Sequence, residues 1–251
     1  MGLDNGSVET GEVSKPSLLR DLIKEAIFSP TLSISFEPRS IDLGPFGEEA
    51  EGIMGRTLSD PQGLERARIV YVTRGGKVLI QQKDIVGQVT EEGQYCNLGP
   101  LLFRTINVSP NFSHLPRNLR QDKYVGLIIH SHGFYELPFS PQDLAVLFSS
   151  EMNILASPAL FVVTPERKHL LLRTAKTPQW DILVLDKKIK SWASMVGERI
   201  MAHVDSSMPF SQQVGINAQV QHSFIRQVSE KYHLLRYSCR FADNIALRES
   251  A

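Results

Sequence analysis

The chain has 251 residues, with 27 basic side chains against 27 acidic ones and 42% apolar residues. That length suits one large domain, or one domain with a substantial extension, and the balanced charge argues against a nucleic-acid polyanion as the main partner. Cys96 and Cys239 are too far apart in sequence to suggest a zinc finger or a disulfide framework, and no apolar run is long enough to span a bilayer, so the expectation is a cytoplasmic protein with reduced thiols.

Met1 to Lys15 is polar and rich in Gly and Glu, the composition of a disordered segment, and its first residues lack the apolar core of a signal peptide. From Pro16 to Phe28, Leu18, Leu19, Leu22, Ile23 and Ile27 recur at helical spacing and predict an amphipathic helix. Leu32 to Phe36 reads as a short strand. Pro38 to Gly63, with its glycines, prolines and acids, reads as loop. A hairpin follows: Arg66 to Thr73 as one strand, Arg74-Gly75-Gly76 as the turn and Lys77 to Val86 as the return. Gly87 to Arg120 is a long connection, the kind that is usually functional, with a possible strand at Leu101 to Val108.

Tyr124 to Ile129 is apolar and β-branched, and predicts a buried strand. His130 and His132 follow it. Side chains two apart on a strand point to the same face, so the two imidazoles should project together from the strand's C-terminal end. Ser140-Pro141-Gln142-Asp143 then opens a predicted helix, Leu144 to about Met152, with Ser as N-cap, Pro at the first position and Asp in the first turn. Two imidazoles and a carboxylate make a three-ligand set that leaves a fourth position for water, the pattern of a catalytic zinc site.

Beyond the motif, Ala159 to Thr164, His169 to Thr174 and Trp180 to Leu185 read as three antiparallel strands. Lys187 to His203 and Ser211 to His233 read as helices that extend beyond the core. Glu136 lies in the spacer between the imidazoles and Ser140 and is expected in solvent. His114, His169, His203, His222 and His233 sit in unrelated elements and read as packing or surface residues.

H-S-H, seven residues, Ser, two residues, Asp is similar to the signature of the JAMM (MPN+, JAB-domain) zinc metalloprotease family. Every defining position of the core motif is present, with Gly133 where the family usually has proline. The resemblance is sharp from Val125 to Asp143 and extends by element order over Glu65 to Asp186. It implies an α/β fold, a mixed curved sheet flanked by helices as in cytidine deaminases. The domain would span residues 31–186, after residues 1–30 (a disordered N-terminus and one helix) and before a helical C-terminal extension, residues 187–251. It also implies Zn2+ on His130, His132 and Asp143, and a Ser140 hydroxyl that helps stabilise the oxyanion.

The family takes its general base, a glutamate, from an upstream strand. Glu65, before the hairpin closed by Gly87, resembles the layout of the RadC-type bacterial branch. Glu49, in Glu49-Ala50-Glu51-Gly52, resembles the E-x-x-G pattern of eukaryotic-type members. Glu65 is favoured and Glu49 remains open. The substrate implied is the isopeptide or C-terminal peptide bond of ubiquitin or a ubiquitin-like protein. The alternatives are a RadC-like protein associated with DNA processing, and a non-catalytic scaffold that docks a protein partner on its C-terminal helices.

Overall fold

Ten strands form one mixed sheet in the computed structural model, which describes residues 16–73, 75–87, 123–133, 137–149 and 156–249. The strands are β1 (Ser17–Leu18), β2 (Ser40–Asp42), β3 (Arg66–Thr73), β4 (Val78–Ile80), β5 (Ile85–Val86), β6 (Lys123–Ser131), β7 (Ala159–Val163), β8 (Arg167–Arg173), β9 (Leu234–Arg240) and β10 (Ile245–Arg248). Their order is β1-β2-β10-β9-β8-β7-β6-β3-β4, and β5 also pairs with β3. β1–β2 and β6–β7 are parallel, and the other pairs are antiparallel. The expected mixed α/β architecture, a curved sheet flanked by helices, is therefore present. Met1–Lys15, Arg74, residues 88–122 with Cys96 and His114, Glu136 and residues 150–155 lie outside the described residues.

Helices cover both faces. α1 (Leu19–Phe28) and α2 (Pro45–Leu58) bury Leu19, Leu22, Ile23, Phe46, Ala50, Ile53 and Met54 against Val70, Leu127, Ile129, Phe161 and Leu170. The other face packs α3 (Ala145–Phe148), α4 (Ile182–Met201) and α5 (Phe210–Tyr232) on Ile69, Ile128, Leu160, Val162 and Leu171. Side chains from alternate positions of β6, β7 and β8 thus enter opposite cores, which is why β7 is apolar throughout and β6 and β8 hold continuous apolar runs, Leu127, Ile128 and Ile129 in one and Leu170, Leu171 and Leu172 in the other. No helix among the described residues is long and apolar enough to cross a membrane.

The segment expected to be loop, Pro38 to Gly63, holds β2 and the fourteen-residue α2. Gly47, Gly52 and Gly55 masked a helical pattern. Pro45 occupies the first turn, where its missing N–H costs nothing, and Phe46, Ala50, Ile53, Met54 and Thr57 fall on one buried stripe. Lys168, buried beneath the helix, holds α2 to β8 through Glu51 at 2.5 Å.

Trp180 to Leu185 is not a strand. Trp180 makes a single bridge to Ser149, and Asp181 then caps α4 by accepting hydrogen bonds from Leu183 N and Val184 N at 2.9 and 3.0 Å. Leu32 to Phe36 is likewise reduced to one bridge, Ile34 with Thr174. The hairpin return is broken into β4 and β5, because Asp84 between them turns inward to the guanidiniums of Arg56 and Arg68. The two long C-terminal helices form close to where their periodicity places them. The chain after them is not an extension beyond the core: β9 pairs with β8 along its whole length, and β10 joins β9 to β2.

One irregularity sets the face on which the histidines stand. Opposite β3, the register of β6 shifts between Val70 and Tyr71, which pair with Leu127 and Val125, so Gly126 is an extra residue. Val125 faces the α3–α5 core, Leu127 faces the α1–α2 core, and the alternation restarts one residue out of phase. Without the bulge, Ser131 and not His130 would continue Val125's face. A Cβ at position 126 would come within 2.6 Å of Ile23 Cγ2 and 2.9 Å of Val72 Cγ2. Gly126→Ala should therefore destabilise the protein by about 1–3 kcal/mol, measured by urea unfolding.

Candidate metal centre

β6 ends at Ser131, and its parallel pairing with β7 continues one step as His132 N donates to Val163 O at 3.0 Å. This keeps His132 in register with His130, so both rings stand on the face covered by α3. They are 2% and 6% exposed, with ring centroids 4.6 Å apart. The chain then returns through Leu137, Pro138 and Phe139 to Ser140. There Ser140 N donates to Asp143 Oδ2 at 2.6 Å and Asp143 N donates to Ser140 Oγ at 3.3 Å. This reciprocal pair is a capping box closed within four residues, and it fixes the carboxylate before α3 begins.

His130 Nε2 and His132 Nε2 are 2.8 Å apart. Asp143 reaches the first with Oδ1 at 3.5 Å and the second with Oδ2 at 3.3 Å. The three side chains form a largely buried group whose donor atoms lie within 4.8 Å of one another, an arrangement that could hold a metal ion. His132 Nδ1–H donates to the Leu137 carbonyl at 2.5 Å, which leaves Nε2 as the ligating nitrogen.

The protonation of the three groups is set by burial and by one another. Burial holds His130 neutral, with its pKa pushed down to about 4. Burial works the same way on His132, but the Asp143 carboxylate beside it outweighs that effect and lifts the pKa to about 9. Asp143 is held well below the usual carboxylate range by the two imidazoles, against the opposing effect of burial. Without an ion, the proton on His132 balances Asp143. A divalent cation on the same donors would replace that proton.

Glu65 completes the arrangement from a distant part of the sequence. The β3–β6 ladder reaches Ala67 opposite His130, and Glu65, two residues before Ala67, lies near enough to His132 and Asp143 for both charges to act on its carboxyl. Burial raises its carboxyl to about 7, and Asp143 adds to the rise while His132 opposes it. Among the described residues its carboxylate has no hydrogen-bond partner. Glu49 is engaged elsewhere: it lies on α2 and binds Arg68 at 2.7 Å and Arg56 at 3.6 Å, within a network that also includes Asp84. The structure thus brings His130, His132, Asp143, Ser140 and Glu65 together, and gives Glu49 a different set of partners.

The remaining described histidines are not donors of this group. Phe139, in the loop between His132 and Ser140, packs edge-on against His169 at 6.2 Å, and His169 in turn meets His222 at 5.9 Å. Burial keeps His169 neutral, at about 3. Its place beside the loop that joins His132 to Ser140 was not evident in the sequence. The signal was its position in β8, opposite Val162 and in the same row as His130. His203 hydrogen-bonds Arg199 O, and His233 ends α5 in a left-handed conformation. Gly133 lies so close to the turn before Glu65 that a Cβ there would sit 3.1 Å from Gly63 O. In comparisons with known proteins, no family model, no curated protein and no solved structure matches this chain.

Proposed function

We propose that the chain is a zinc-dependent hydrolase of the JAMM type that cleaves an amide bond. The observation that carries this reading is the buried group of His130, His132 and Asp143 with the Glu65 carboxylate beside it. Donors around a tetrahedral zinc at ~2.0–2.1 Å lie about 3.3 Å apart, and the separations of 2.8, 3.3 and 3.5 Å bracket that value. Two nitrogens and one carboxylate leave a fourth position open, as a catalytic zinc requires. When bound, the ion would lower the pKa of its water toward about 7 and polarise the scissile carbonyl.

The chain's own residues supply the rest. Glu65 accepts the proton of the attacking water and delivers it to the departing amine, so that one water is consumed for each amide broken. A carboxyl raised to about 7 is suited to both transfers near neutral pH. Ser140 Oγ already accepts the Asp143 N–H, and it retains a proton to donate to the carbonyl oxygen as charge develops there. His132 is kept in its ligating tautomer by Leu137 O.

The substrate class follows from the motif's resemblance: an isopeptide or C-terminal peptide bond of ubiquitin or a ubiquitin-like protein. Such a tail is extended and can add to a sheet as a further strand. Among the described residues β4 ends the sheet, with β3 between it and β6, and its outer side would accept the tail. The test pairs metal analysis with a cleavage panel of ubiquitin-like fusions and isopeptide conjugates. The expected result is one zinc per wild-type chain, none for Asp143→Ala, and turnover of at least one conjugate. A zinc-loaded chain that leaves the whole panel intact rejects the substrate assignment, and a wild-type chain that takes up no metal rejects the hydrolase.

A further inference from the structure

The serine between the two histidines has a place in the structure that its motif does not explain. Ser131 is fully buried, and so is Thr57 in the last turn of α2. Their hydroxyl oxygens are 2.6 Å apart. Ser131 Oγ also accepts the backbone N–H of Arg66 at 2.9 Å, and it lies 3.4 Å from the Arg66 carbonyl. With one lone pair given to Arg66 N–H, the Ser131 hydroxyl shares a proton with Thr57 Oγ1, either oxygen serving as donor, and it can give its own proton to the Arg66 carbonyl. One buried oxygen therefore joins the end of β6, the end of α2 and the start of β3.

Arg66 directly follows Glu65. On the other side, Gly87 N donates to Glu65 O at 2.8 Å, and the Arg66 guanidinium is held by Asp60 at 2.9 Å. The backbone at Glu65 is fixed by these contacts, whereas its carboxylate makes no hydrogen bond among the described residues. The direction of the carboxylate is thus set through the main chain. Apolar side chains would fill the space at positions 57 and 131 without the desolvation cost of two hydroxyls, so packing alone does not account for the pair.

We propose that Thr57 and Ser131 are positioning residues: acting through the Arg66 N–H, they set where the Glu65 carboxylate stands relative to His130 and His132. This rests on the reading of Glu65 as the base beside a bound metal. A purely structural pair would hold α2 on the sheet and tolerate loss of the Thr57 hydroxyl if volume were kept. A positioning pair requires the hydroxyl and tolerates loss of the methyl.

The full chain is compared as wild type, Ser131→Ala, Thr57→Val and Thr57→Ser. In the metal-free protein, amide hydrogen exchange at Arg66 should accelerate about tenfold or more in Ser131→Ala and Thr57→Val, while exchange at Val70 stays unchanged and Thr57→Ser matches wild type. With zinc restored, Thr57→Val should retain one equivalent of metal and an unchanged KM toward a ubiquitin C-terminal fusion, with kcat about 10- to 100-fold lower, consistent with a displaced base. Thr57→Ser should rescue both readouts. Wild-type exchange at Arg66 in Thr57→Val overturns the proposal, as does a Thr57→Ser variant as impaired as Thr57→Val. Absence of zinc or of cleavage in wild type counts against the hydrolase instead, and the exchange comparison, which needs neither, still decides whether the pair holds the Glu65–Arg66 backbone.

Discussion

On the proposed hydrolase reading, Glu65→Gln should keep the zinc content of wild type and lose about 10²- to 10⁴-fold in kcat, the usual range for removing a positioned general acid–base group. Glutamine has the size of the glutamate and none of its proton chemistry, and Glu65 is not among the three donor side chains, so metal content should equal that of wild type. The variant should also fold at least as well. The Glu65 carboxyl is raised from its ordinary 4.5 to about 7 because burial disfavours its charge. An acid whose pKa is higher in the folded state binds more protons there, so its contribution to stability declines as pH rises from about 4.5 through 7. At pH 8 in the absence of metal, urea unfolding should find Glu65→Gln as stable as wild type or more so. The same replacement at Glu49 should do the reverse: turnover stays within a few fold, while breaking its pairs with Arg68 and Arg56 costs about 1 kcal/mol. If Glu49→Gln abolished turnover and Glu65→Gln spared it, the base would be misassigned.

On the same reading, His132→Ala should abolish zinc uptake and activity together. The effect is large because the variant removes one of the three donors found among the described residues and takes from the buried Asp143 carboxylate one of its two imidazole partners. In wild type, zinc at a thousand times its Kd should stabilise the fold by about 4 kcal/mol. At roughly 2–4 °C per kcal/mol for a chain of this size, Tm should rise by about 8–16 °C and fall back on chelation. His132→Ala should show no rise.

This increment has a defined pH dependence. The pKa of His132 is raised from its ordinary 6.5 to about 9, so in the metal-free protein its stabilising contribution is complete below pH 6.5 and disappears as pH rises through 9. Below pH 6.5 the shifts of His130 and Glu65 pull in opposite directions, and only above it does His132 dominate. Zinc competes with the His132 proton, so its affinity should rise across the same window. Metal-free stability should therefore fall, and the zinc-induced rise in Tm should grow, between pH 6.5 and 9. Scanning calorimetry at intervals across that range, with and without zinc, measures both. A zinc increment independent of pH would rule out displacement of that proton.

The three side chains that meet in the buried His-His-Asp group were legible in the sequence because they lie within fourteen residues of one another. An apolar strand before His130, a two-residue alternation and a capping sequence at Ser140 are local signals, and local signals survive without knowledge of the fold. The long helices α4 and α5 were legible for the same reason. The errors arose where tertiary context overrode local pattern. Glycines hid α2, whose stripe of Phe46, Ala50, Ile53 and Met54 gains meaning only against the sheet. Ile182, Leu183 and Val184 look like a strand, but Asp181 caps them into a helix. β9 and β10 could not be foreseen as the strands that join β8 to β2, since their partners lie far away along the chain.

By itself, then, the order of residues determined which side chains meet in the buried group that could hold an ion, because their spacing along one strand and one turn dictates their directions. Which glutamate faces those side chains was decided by the fold. Glu49 and Glu65 are both acids upstream of the motif, and the hairpin that follows Glu65 favoured it without showing what either carboxylate meets. Pairing of β3 with β6 turns one toward the imidazoles, and the packing of α2 delivers the other to two arginines. A carboxylate's chemistry depends on the charges and solvent around it, and those neighbours come from segments that only the folded chain brings together.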